Sequence, residues 1–282
     1  MRGLTVARVL AGAAVALTPI AGAAAGDKRG YSLVRPTPDA LLRDMSTDRP
    51  DKTESPYTVD TGRFQVEMDV IAYTRDKADG ITVRTLEVVP FNVKVGLTSH
   101  TDLQIAYGAF NRVRVKGEGI DERDSGSGDV VVRVKHNIWG NDGGPTALAI
   151  MPFVKLPTGS LAELNDDVEG GVILPFAVDL GGGFGLGLMT EIDILRRESG
   201  RGYAPTFVNS AALGFDVTDK LGLFAEVFVE RSSESGAETV VTLGGGFTYA
   251  VTDNVQLDAA VNVGATSAAD DLNVIAGVSR RF

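Results

Sequence analysis

From Phe64 to the end of the chain, apolar and polar side chains alternate at every second position. The alternation comes in runs of about ten to fourteen residues, whereas strands of soluble sheets usually have about five or six. The clearest pair follows Glu238. Val241, Leu243, Phe247, Tyr249 and Val251 share one face, and Thr242, Gly244, Gly246 and Thr248 share the other. The chain reverses at Val251–Asn254, after which Val255, Leu257, Ala259, Val261 and Val263 alternate with Gln256, Asp258 and Asn262. Strands of about ten tilted residues are long enough to cross hydrocarbon. There every N–H and C=O must find a partner within the protein, and only a sheet closed on itself leaves no edge unpaired.

The pattern predicts an all-β fold: a closed antiparallel transmembrane β-barrel of about twelve strands with a short non-barrel N-terminal segment. The expected strands are 62–75, 81–97, 102–114, 128–138, 146–156, 169–179, 183–195, 203–217, 221–231, 238–251, 255–265 and 271–282. Short turns near 98–101, 141–145, 181–182, 218–220 and 252–254 alternate with longer polar connections near 115–127, 157–168, 196–202, 232–237 and 266–270; 76–80 is the shortest of the second set. Outer-membrane barrels have this asymmetry, with short turns in the periplasm. Phe64, Tyr107, Phe176, Phe184, Phe215, Phe247, Tyr249 and Phe282 fall on the apolar parity and are expected to form an aromatic girdle toward that end. Phe282, an aromatic at the end of the last strand, resembles the terminal signal read by the barrel-insertion machinery.

Residues 1–25 carry Arg2 and Arg8, then an apolar run, then Ala21, Ala23 and Ala25. This is the arrangement of a cleavable secretory signal peptide, which makes the expected location the bacterial outer membrane. Its loss moves the net charge from -10 to −12, because two arginines leave with it. An acidic chain lacks the basic face that nucleic acid requires. With no Cys and two His, thiol chemistry and Cys-based metal sites are excluded, and no cofactor or metal is expected.

Residues 26–61 do not alternate, and they are expected to form a periplasmic segment that is a tether, a lid or a plug. Thr37-Pro38-Asp39 predicts a helix start, with the helix reaching about Met45. The stretch Thr47–Gly62, interrupted by Pro50 and Pro56, interleaves Asp48, Arg49, Asp51, Lys52 and Glu54. Arg49, Asp51, Lys52 and Glu54 are expected at the periplasmic mouth. The barrel proper is then 62–282.

If one parity faces lipid, the other faces the lumen, and its charges are sorted. Arg84, Lys94, Arg112, Arg133, Lys135 and Lys155 form an expected basic wall. Glu67 and Asp69 on the first strand, with Glu191, Asp193, Asp216, Glu226, Glu230 and Asp258 later in the chain, form an acidic one. Such walls either orient solutes in a narrow channel or pair across the lumen and close it.

No catalytic constellation emerges. His100 falls in a turn and His136 on the lipid parity, so neither is placed to activate a Ser. The acidic residues Asp121, Glu122, Asp124 and Asp129, and Asp166, Asp167 and Glu169, read as solvated loop charge. Pro152 and Pro175 within strands predict bulges or local breaks in the wall.

The stretch TDRPDKTESPYTVDTGRFQVEMD (Thr47–Asp69), with KLPTG (Lys155–Gly159) and FDVTDKLGLFAE (Phe215–Glu226), resembles the outer-membrane transporter family associated with the meta-pathway of phenol degradation. The resemblance covers about 47–282. It implies an outer-membrane channel or transporter for passive passage of small solutes, aromatic or amphipathic ones among them, and names no catalytic residue. Outer-membrane lipid and a small solute are the partners it implies. The competing reading is a closed structural or surface-interaction barrel without transport.

Overall fold

The computed structural model describes residues 28, 30–161, 167–197 and 200–282. The expected signal peptide and Asp166 lie outside them. The strands are β1 (Phe64–Ala78), β2 (Ile81–Thr98), β3 (Thr101–Gly117), β4 (Ile120–Gly126), β5 (Val130–Trp139), β6 (Thr146–Leu156), β7 (Glu169–Gly181), β8 (Phe184–Arg196), β9 (Tyr203–Asp216), β10 (Leu221–Ser232), β11 (Thr239–Thr252), β12 (Val255–Gly264) and β13 (Leu272–Arg281). All pairings are antiparallel between sequence neighbours, except that β1 also pairs with β13 and β3 with β5. With β2 bonded to both β1 and β3, twelve strands close into a ring.

The thirteenth strand, β4, departs from the expected loop at 115–127. It pairs only with β3, whose lower part (Thr101–Tyr107) bonds to β5 and whose upper part (Asn111–Gly117) bonds to β4. β4 carries charge on four of its seven positions and has no apolar parity, so a lipid-facing pattern does not reveal it.

The predicted helix at 38–45 shrinks to one 3-10 turn, Asp39–Leu41. Thr37, the expected cap, donates its hydroxyl to the Thr61 carbonyl at 3.2 Å instead. An isolated helix of that length has too few hydrogen bonds to offset its nucleation cost.

The interior of the ring is the polar side. Lys94, Lys135, Gln65 and Gln104 are among the largest fully buried side chains, while Leu243, Val261, Ile192 and Phe207 on the opposite parity are exposed. The prolines leave gaps without bulges. Pairing between β6 and β7 is missing between Leu148↔Phe176 and Met151↔Ile173, opposite Pro175, and resumes in the same register.

A real shift occurs in β1. Below Val70, Gln65, Glu67 and Asp69 point inward; above it, Ala72 and Thr74 do. β2 and β3 switch parity at the same level, from Lys94 and Asn92 to Glu87 and from Gln104 and Ala106 to Asn111 and Val113. Val89 takes φ 54 at the switch. The three strands keep their mutual register, and β13 absorbs the one-residue offset between Asp69 and Ile71. A single extra residue exchanges the two faces of everything beyond it.

Candidate functional site

That switch corrects two sequence expectations. Arg84 and Arg112 lie above it and face outward, exposed. Lys94, Arg133 and Lys135 are buried inside the ring, and Lys155 sits nearer the end with the longer loops, bonded to Asp129 at 2.8 Å and Glu169 at 3.0 Å. Of the acidic set, Glu67, Asp69, Glu191, Asp193, Glu226 and Asp258 are buried inside. Glu230 lines the open end of the lumen, and Asp216 lies on the inward parity at the short-turn end, half-buried.

The interior is occupied by residues 46–61 of the same chain. The segment enters at the short-turn end, rises to Lys52 and returns, joining Gly96 through Thr61 in a parallel bridge. Arg49, Asp51, Lys52 and Glu54 therefore lie deeper than the mouth. At the mouth itself are Val59, whose N–H donates to Asp102 at 3.0 Å, and Thr58, whose N–H donates to Asn141 at 3.0 Å.

The segment's interleaved charges match the sorted walls. Asp48 accepts from both Lys94 and Lys135, and its N–H donates to Glu67 at 3.0 Å. Glu54 accepts from Arg133 at 2.8 Å. On the opposite side, Arg49 donates to Asp258 of β12 at 2.8 Å and to Asp69 of β1 at 2.5 Å. The Lys52 N–H donates to Glu226 at 2.9 Å, and Thr53 adds a hydroxyl bond to that carboxylate at 2.6 Å. Anions of the segment meet cations of β2 and β5; its cations meet carboxylates of β1, β10 and β12.

Burial works against the charge on Asp48, but Lys135 and Lys94 outweigh it and hold the carboxyl well below the usual carboxylate range. Glu54 goes the other way. Burial, with Asp48 nearby, pushes it up to about 7 despite Arg133, Lys135 and Lys94.

Two glycines make room for the segment. A Cβ at Gly277 of β13 would overlap the Arg49 guanidinium, and one at Gly96 of β2 would overlap the Asp60 carbonyl. Neither role is visible in sequence, because a strand glycine has many other uses.

Above the segment, toward the longer loops, lies a cavity of ≈ 210 Å³ floored by Pro50, Lys52 and Glu54. One wall is apolar: Met189, Ile173 and Val208 form a buried cluster with Met151, flanked by Phe153 and Phe228. Facing it are Asp69, Asp76 and Asp270. Lys52 Nζ lies 4.5 Å from the centre of the Phe228 ring. The apolar wall escaped sequence reading because these strands are apolar on both parities here.

A closed ring of strands, greasy outside and ionic within, defines an outer-membrane β-barrel. The chain belongs to the family described as the putative MetA-pathway of phenol degradation, whose model matches residues 47–282 and so takes in the inserted segment with every barrel strand. The COG4313 outer membrane channel from Pseudomonas putida F1 has a similar fold, with 13% identity, TM-score 0.59 and coverage of 83% of this chain and 99% of that one. A NanC porin is similar with 9% identity, TM-score 0.52 and coverage of 76% and 98%. The beta domain of the Bordetella autotransporter BrkA is similar with 13% identity, TM-score 0.50 and coverage of 78% and 98%. No curated protein matches the chain.

Proposed function

We propose that this barrel is a passive outer-membrane channel for small amphipathic solutes, aromatic ones included, and that residues 47–61 are its plug. The reading rests on one observation: the lumen is filled by a segment held through exchangeable ion pairs and hydrogen bonds, beneath a vestibule with one apolar and one acidic wall. The plug touches the wall strands through side chains and one isolated bridge, so it can leave without unzipping the ring. An amphipathic solute would rest its apolar part on Met189, Val208 and Phe228 and its polar part toward Asp76 and Asp270. The names of the COG4313 channel and the NanC porin favour transport, and the family description favours an aromatic solute.

A specific observation favours the other reading, a closed structural barrel: the paired charges fill the lumen. Planar-bilayer recordings and solute uptake into liposomes separate the two. Discrete openings in the wild type, more frequent once plug anchors are removed, are expected for the channel. Silence in both the wild type and the loosened variants, with intact barrels, would establish the closed reading.

A further inference from the structure

The parity switch has an outward consequence. Above it, Arg75 of β1 pairs directly with Arg84 of β2, Arg84 with Arg114 of β3, and Arg114 with Arg123 of β4. Direct partners across an antiparallel pair share a face, so four arginines stand side by side on the outside of the sheet. Arg112, also outward and exposed, lies just below them, in the row of Tyr73 and Leu86. Like charges placed directly opposite one another repel, and three such contacts in sequence call for anions. Asp121 supplies one, to Arg114 at 2.7 Å and Arg123 at 3.8 Å. Among the described residues Arg75, Arg84 and Arg112 have no ion pair.

Their height on the wall is equally informative. On β1 the outward face runs Phe64, Val66, Met68, then Val70 and Ile71 at the switch, Tyr73 and Arg75. At about 3.3 Å per residue and a tilt of about 40°, the rise from Phe64 to Arg75 is about 28 Å, close to the height of an apolar band. The arginine row therefore begins where hydrocarbon ends, at the end away from the short turns. The next two partners in the row, Leu272 of β13 and Val263 of β12, are apolar, so the run of arginines ends at β1.

We propose that the outer faces of β1–β4 bind the phosphate groups of lipopolysaccharide, the phosphorylated glycolipid of the outer leaflet, through Arg75, Arg84, Arg114 and Arg123 with Arg112 beneath. Three inter-strand steps of about 4.8 Å make a row of roughly 14 Å, long enough to engage two phosphates on one headgroup. Guanidinium forks suit phosphate oxygens, and acyl chains below would lie on Tyr73, Leu86 and Phe110.

The test titrates the full-length barrel, in neutral detergent, with fluorescent lipopolysaccharide and reads anisotropy. R75Q/R84Q/R112Q is expected to weaken binding about tenfold or more, and dephosphorylated glycolipid to bind the wild type about as poorly. R75K/R84K/R112K should keep most of the affinity, and added salt should lower it. Heat-dependent gel mobility reports whether each barrel is folded; if the triple variant is not, R84Q alone should still lose about threefold. Equal binding by wild type and the folded glutamine variant, or undiminished binding of the dephosphorylated glycolipid, would overturn the proposal. So would full displacement by millimolar inorganic phosphate, which would mark a site for free anions.

Discussion

Arg49 reaches Asp258 with two nitrogens, Nε at 3.1 Å and Nη2 at 2.8 Å, although the two residues are 209 positions apart in the chain. The same Nη2 bonds Asp69, so one guanidinium ties β12 to β1 across Gly277 of β13. Arg49→Met leaves both carboxylates buried and unpaired, which costs about 3–5 kcal/mol. The plug should leave its seat far more often, read as a higher open probability in bilayers. Adding Asp258→Asn should restore part of the closure; if the single variant opens no more than wild type, Arg49 is not an anchor.

Gly277→Val tests the same contact from the wall side. Valine favours strands, but its Cβ would occupy the space of the Arg49 guanidinium and also crowd the Met68 carbonyl of β1, so formation of the barrel has to be checked alongside. The expected result is normal heat-dependent gel mobility combined with faster proteolysis between Thr47 and Thr61. Unchanged protection of the segment would mean that the close approach has no role in holding it.

Glu54 gives the plug a pH dependence. Burial, then Asp48, raise its pKa to about 7, while Arg133, Lys135 and Lys94 oppose the rise. A seated Glu54 binds its proton more tightly than a released one, so seating is favoured at low pH. That advantage is lost as pH rises from about 4.5 through about 7. Opening frequency should therefore increase between pH 5 and 8, and Glu54→Gln should flatten the curve. A wild-type profile that falls over this range would reverse the assignment.

The wall charges should control ion preference. Arg133→Glu and Lys135→Glu each remove a partner of the plug, Glu54 or Asp48, and replace a lumen cation with an anion. Both variants should open more often and shift reversal potentials under a salt gradient toward cation selectivity. Unchanged potentials in both would show that ions do not pass these residues.

The strands were legible because a backbone period of two reaches every residue of a lipid-facing wall. β6, for example, runs over Thr146–Leu156, the range that alternation alone predicts. Arg84 and Arg112 face outward against the sequence expectation because alternation fixes a face only until the first bulge, and nothing in the composition around Val70 announces one. Lys94, Arg133 and Asp258 could be assigned to the interior one by one. Their partners could not, because Asp48, Glu54 and Arg49 belong to a segment without periodicity and meet the wall only after closure. The β3–β4 hairpin stayed hidden for a related reason: outside hydrocarbon, a strand need not be greasy on either face.

Because Arg49 bonds carboxylates on both β12 and β1, the line where the two ends of the chain meet is neutralised only while the stopper is seated. An emptied lumen leaves Asp69 and Asp258 facing one another with no cation between them. The arginine that closes the passage thus also quiets repulsion along the cylinder's own seam.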